Sequence, residues 1–150
     1  MNIKNRPSLK FTIYLAGYNK DLEYRKEVKE NYGEHFNILD PMTITFDEVY
    51  EDIGKELSDI YLIRRDKKMI DQCDILIAKV EHLPEGKIMI GTFMEIMYAH
   101  TKGIPVFIIS SDDNLLENPW LKFHCEEDSI QLKIVLNLFW IKMVVKIYNE

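Results

Sequence analysis

Short, almost wholly apolar runs alternate with helix-favouring stretches, and this alternation most limits how the chain can fold. Phe11-Thr-Ile-Tyr-Leu-Ala-Gly17 is β-rich and stops at a glycine. Phe36-Asn-Ile-Leu-Asp40 reads as a second strand, closed by Pro41. Asp74-Ile-Leu-Ile-Ala-Lys-Val80 is the clearest strand pattern, and Ile104-Pro-Val-Phe-Ile-Ile109 supplies a fourth. Helical stretches fall between them, roughly over 21–31, 46–72 with a break near Gly54, and 92–102 before Gly103. A short fifth strand near 122–125 and a terminal helix from about Ser129 complete the expectation. Strands alternating with helices imply parallel pairing, and continuous apolar strands suit a sheet covered on both faces. The expected architecture is α/β, one domain with an open parallel sheet of about five strands flanked by helices. In such sheets ligands bind beyond the carboxyl ends of the strands, which here draws attention to Tyr14, Asp40 and 79–81.

Composition narrows the function classes. A chain of 150 residues suffices for one domain with a real core. Its net charge is -6, and its basic residues gather only at Arg64, Arg65, Lys67 and Lys68, so a nucleic-acid partner is not expected. The two cysteines and four histidines show no metal-ligand spacing. The dinucleotide fingerprint and the phosphate-loop motif are both missing, and no cofactor or metal is expected. The first residues lack the apolar core of a signal peptide. The apolar stretch Ile134 to Tyr148 is interrupted by Asn137, Lys142 and Lys146, against a membrane span. A cytoplasmic protein without membrane partners is the expectation.

Three side chains stand out as chemically active. On the helix carrying Arg64 to Cys73, the residues Leu62, Ile63, Met69, Ile70 and Cys73 form one apolar stripe, and Asp66 falls at its centre. An inward acid needs a partner, so Asp66 either bonds backbone amides or pairs with a lysine, as does nearby Asp59, or serves a site that perturbs it. Arg64, Arg65, Lys68, Asp71 and Gln72 occupy the opposite face. Glu95, in Gly91-Thr-Phe-Met-Glu-Ile-Met-Tyr-Ala99, fits a capping box with Thr92 at a helix start. A carboxylate in that first turn is kept ionised by the helix dipole, as nucleophilic attack on a sugar carbon requires. Tyr14 either packs in the core with a local bond or orients a carboxylate in the crevice.

Three pieces, Ile13-Tyr-Leu-Ala-Gly17, Arg65-Asp66 eight residues before Asp74-Ile-Leu-Ile77, and Gly91 to Ala99, occur in an order and spacing that resemble the nucleoside 2-deoxyribosyltransferase family. The resemblance spans most of residues 11–120 and implies a flavodoxin-like, Rossmann-like sheet and a double displacement. Glu95 would attack the anomeric carbon and release the base, and a second base or water would then take the sugar. Asp66 would exchange a proton with the nucleobase, and Tyr14 would hold the nucleophile. Gly17, Tyr18 and Asn19 after the first strand, and Met89, Gly91 and Thr92 before Glu95, become the expected substrate contacts. Met89 stands where the family commonly has a base-contacting aspartate. Family members are oligomers in which a neighbour's asparagine often completes the site, and Asn118 is its counterpart here.

Three functions remain open at this level. One is transfer of 2-deoxyribose between bases, with a nucleoside and a free nucleobase as partners. Another is hydrolysis of nucleoside 5'-monophosphates, with the phosphate met by Asn19, Lys20 and Arg25 beside the turn amides. The third is a nucleotide-binding module that no longer turns over. The stretch from Ile130 to Ile147, apolar nearly all round, is expected to bury part of its surface in a homo-oligomer.

Overall fold

The computed structural model describes residues 10–43, 51 and 54–126. The four apolar runs form strands: β1 (Thr12–Gly17), β2 (Asn37–Leu39), β3 (Ile75–Lys79) and β4 (Val106–Ile109). They are joined by α1 (Leu22–Tyr32), α2 (Lys55–Asp71) and α3 (Ile90–Thr101), and followed by α4 (Asp113–Leu116) and α5 (Pro119–His124). All pairings are parallel, in the order β2-β1-β3-β4. This is the expected open α/β sheet, with four strands among the described residues where about five were expected.

Alternation along the strands divides the core into two layers. Tyr14, Ala16, Leu76, Ala78, Val106 and Ile108 face α2 and α3, where Ile70, Ile96 and Ala99 meet them. Ile13, Leu15, Ile75, Ile77 and Phe107 face the other way, against Tyr24 and Val28 of α1. Every one of these residues is buried, which is why the strands read as unbroken apolar runs. Gly54 stands at the N-cap of α2 with φ of 80°, so the expected break in the 46–72 stretch falls at a residue free to adopt it.

The fifth strand expected at 122–125 is instead the end of α5. Asn118 accepts a hydrogen bond from Trp120 N–H at 2.9 Å and Pro119 occupies the first helical turn, a helix start that outweighs the short apolar run. Beyond it Glu126 N–H donates to Val106 O at 2.8 Å, returning the chain to the β4 edge. The terminal helix expected from Ser129, and the oligomer contact assigned to it, lie outside the described residues. No helix among the described residues is long and apolar enough to cross a membrane.

Ile77 is fully buried in β3 between β1 and β4. Ile77→Ala is expected to cost about 2–5 kcal/mol. The check is urea unfolding, in which the midpoint falls while the slope stays constant.

Candidate active site

The chemistry gathers on the α2–α3 face of the sheet. Tyr14 Oη, rising from β1, donates a hydrogen bond to Glu95 Oε1 of α3 at 3.0 Å, across 81 residues of sequence. Burial, followed by the Glu95 and Asp66 charges, pushes the Tyr14 hydroxyl pKa far up, so Tyr14 remains a proton donor to the carboxyl. Glu95 itself is pushed up to about 8, first by burial and then by the negative charge of Asp66. The Tyr14 bond and the Arg25 and Arg65 cations offset part of that rise.

The helix start differs from the sequence expectation. α3 begins at Ile90, with Met89 at the N-cap and no side-chain cap bond, so Thr92 and Glu95 form no capping box. Glu95 lies in the second turn, and no acid occupies the first. The dipole effect fades within the first turn. Burial therefore decides the ionisation of Glu95, and it favours the protonated form rather than the carboxylate.

Asp66 does point inward from α2, but its partner is the adjacent Arg65. Arg65 Nε and Nη2 reach Asp66 Oδ1 at 2.9 and 2.8 Å, and Nη2 also donates to Pro41 O at 2.6 Å. Arg65, assigned to the solvated face, is in fact partly buried, while Ile63, assigned to the apolar stripe, is exposed. The guanidinium curls back to satisfy an acid and a loop carbonyl that would otherwise lose water. Burial raises the Asp66 pKa, and the bond and charge of Arg65 with the Arg25 charge restrain the rise. Two carboxyls, both with raised pKa, are thus coupled between α2 and α3, with a tyrosine donor on one and an arginine on the other.

Around this pair the other expected residues divide. Gly17 closes β1 with φ of 153°, and a Cβ there would lie 3.4 Å from both Lys79 O and Tyr24 Cε1, so glycine is built into the turn. Tyr18 is partly buried and its carbonyl accepts Asp21 N–H at 3.0 Å, while Asn19 and Lys20 are exposed. Met89 is buried, its sulfur 3.5 Å from Glu81 N–H. Thr92 is buried, and Gly91 is exposed with nothing within 4 Å of an added Cβ. Asn118 caps α5 and lines a groove with Met94 and Met97 of α3, rather than joining Tyr14 and Glu95. A second groove runs along α2 by Leu57, Tyr61, Arg64 and Arg65, and Arg65 joins it to the carboxyl pair.

Two features had no clear sequence signal. Asp21 caps α1 through Tyr24 N–H at 3.3 Å and binds Lys79 Nζ at 2.6 Å, tying the β1 turn to the end of β3. Glu81 accepts both the N–H and the hydroxyl of Ser111, at 2.8 and 2.6 Å, and His82 meets Asp112 at 2.6 Å, which braces the loops after β3 and β4. Both cysteines are free thiols, and burial pushes each up to about 12, away from nucleophilic use.

The raised Glu95 pKa links the site to stability. The unfolded carboxyl releases its proton near 4.5 and the folded one at about 8. Between these values only the folded state holds the proton, so rising pH removes stability across that window. Glu95→Gln keeps an acceptor for Tyr14 and carries no charge. It is expected to melt higher than the parent at pH 8, by roughly 2–4 °C per kcal/mol of penalty removed, and equally with it at pH 4. Calorimetric melting at the two pH values checks this.

No protein-family model matches the chain. No characterised relative matches it in sequence. Solved structures do. One is a 2-deoxyribosyltransferase from the psychrotolerant bacterium Bacillus psychrosaccharolyticus, 19% identical, with a TM-score of 0.54 over 76% of this chain and 96% of that one. Another is a 2-deoxyribosyltransferase from Leishmania mexicana, 23% identical, with a TM-score of 0.52 over 68% of this chain and 65% of that one. At this level of identity the likeness concerns the backbone, and the chain has the fold on which these 2-deoxyribosyltransferases are built.

Proposed function

We propose that the chain cleaves the N-glycosidic bond of a 2-deoxynucleoside and transfers the sugar to a second base. The Tyr14–Glu95 hydrogen bond, with Asp66 close enough to raise the pKa of both, carries this reading. The fold shared with proteins named 2-deoxyribosyltransferases supports it.

At a pH below about 8 the coupled pair retains a proton, which in the free protein rests on Glu95. The productive form has the proton on Asp66 and the charge on Glu95. A Glu95 oxygen attacks the anomeric carbon as the C–N bond breaks, and the bonding pair leaves with the base nitrogen. The Asp66 proton goes to the departing base, which leaves neutral. The sugar is then held as a Glu95 ester. A nitrogen of the second base attacks the same carbon, Glu95 departs as carboxylate, and Asp66 regains a proton. Positive charge developing on the sugar in each transition state favours the ionised Glu95 that burial disfavours in the free protein. Tyr14 donates to Glu95 throughout and fixes its rotamer.

The surroundings of β1 favour a nucleoside over a nucleotide. Of the three side chains expected to meet a phosphate, Arg25 is buried and spent on Asp40 and on strand carbonyls. The nearby Lys79 is already paired with Asp21. A carboxylate thus holds the place beside α1 that a phosphate needs. Met89 presents a buried thioether, which favours base contact through packing rather than hydrogen bonds. Asn118 is assigned to a neighbouring subunit's site, since its own chain keeps it in the α3–α5 groove.

The first test is chromatography of bases released from deoxynucleosides and deoxynucleotides, with and without an acceptor base. A new nucleoside formed only with acceptor supports transfer. Free base from a monophosphate regardless of acceptor supports the hydrolase, and no release from any substrate supports a binding module. Glu95→Gln is expected to abolish cleavage, and Asp66→Asn to lower kcat about 10²–10⁴-fold with little change in binding. An Asp66→Asn enzyme with unchanged kcat would remove the proton-transfer role. The kcat/KM profile is expected to be bell-shaped, falling on the alkaline side near 8 as the shared proton is lost. A profile flat from pH 6 to 10 would contradict it.

A further inference from the structure

β1 has six residues and β2 only three, so the carboxyl half of β1 has no strand beside it on that edge. Asn37 N–H donates to Phe11 O at 2.9 Å. Parallel pairing advances by two, which sets residues 39 and 41 opposite the carbonyls of Ile13 and Leu15. Residue 41 is proline and has no N–H to give. The ladder fails there, below Gly17, and buried carbonyls are left to be satisfied by something else.

Arg25 of α1 fills the gap. Its Nη1 donates to Leu15 O at 3.2 Å and its Nη2 to Gly17 O at 3.1 Å, in place of the missing strand. Nη1 also meets Asp40 Oδ1 at 2.7 Å, and both side chains are 3% exposed. Asp40 further accepts Met42 N–H at 2.9 Å and Lys29 Nζ at 2.6 Å. Burial opposes its ionisation, but Lys29, Met42 N–H and Arg25 together hold its pKa below the usual range. Arg25 Nε is left buried without a partner, so the fork is committed to the strand at the cost of one donor. The plane of the guanidinium and its parallel donors suit two carbonyls spaced along a strand, which a lysine cannot match.

We propose that Arg25 is a positioning residue for the Tyr14–Glu95 pair, holding the carboxyl half of β1 in place of a strand and setting a buried positive charge behind the two site carboxyls. The proposal rests on the reading of Glu95 as the reacting carboxyl. Among the described residues, charged and titratable groups reach Glu95 from three elements: Tyr14 of β1, Asp66 and Arg65 of α2, and Arg25 and Tyr24 of α1. Arg25 reaches β1 from α1, and its bonds go to Leu15 O, Gly17 O and Asp40 rather than to either site carboxyl. It lowers the pKa of Glu95, Asp66 and Tyr14 alike.

The test is the Glu95 titration in the whole chain, followed by carbon NMR of carboxyl-labelled glutamate and assigned with Glu95→Gln. Arg25→Gln is expected to move the midpoint up by about half a unit or more. Asp40→Asn removes the counter-charge and keeps Arg25, and the midpoint is expected to move down. Arg25→Lys is expected to restore the midpoint but not kcat, because the charge returns without the fork. A folded Arg25→Gln protein with an unmoved midpoint overturns the proposal. If that variant fails to fold, an unmoved midpoint in Asp40→Asn does so. The titration needs no substrate, so an absence of cleavage from every nucleoside would count against the glycosidic reading alone.

Discussion

The unequal pairing of β1 is the constraint on which the rest of the structure depends. β3 supports this strand along five positions, while β2 leaves it after three. A fully paired strand would end in a flat, regular edge. Here the chain turns away at Pro41, and the freed edge is rebuilt by side chains from two helices. Arg25 takes the β1 carbonyls, and Arg65 takes the carbonyl of Pro41 itself. The same two guanidiniums lower the pKa of both site carboxyls, so repairing the sheet edge and setting the site's electrostatics are one arrangement.

That arrangement explains why two acids can face inward from α2 and α3. An unpartnered buried carboxylate is too costly to keep ionised. Each acid here has one strong partner, Tyr14 for Glu95 and Arg65 for Asp66, and both feel Arg25 at a distance. The partners suffice to keep the acids folded inward but not to return Glu95 to an ordinary pKa. A site that holds a proton in this way is less stable than a neutral one at alkaline pH.

On the far side of α3 the chain shows a different character. Met94 and Met97 are 63% and 55% exposed, and Trp120 of α5 is 76% exposed beside them. Asn118 lies in this groove, at the end of a short helix held by its own cap. The carboxyl pair and the groove thus flank α3 on opposite sides, the inner side chemical and the outer side apolar.

The sequence by itself determined the four strands, their parallel pairing and the inward Asp66. Buried parallel strands must be apolar throughout, and an acid on an apolar helix stripe shows as a break in period. Asp66 was legible for that reason, while Glu95 stood out beside Thr92 at a helix start and Tyr14 near a strand end, and the spacing of all three supported a family resemblance. The start of α3 was not legible, because Thr92 and Glu95 fit a cap that the chain does not use once Glu95 finds Tyr14. The end of α5 was misread because Asn118 and Pro119 outweigh the short apolar run that follows them. Arg25 read as a phosphate contact and Arg65 as part of the face opposite the apolar stripe, since nothing local distinguishes either from an arginine that reaches back over a sheet edge. Only the tertiary structure decided those roles, because the carbonyls and carboxyls that hold them come from β1, β2 and the loop at Pro41, whose proximity exists only after the sheet has formed.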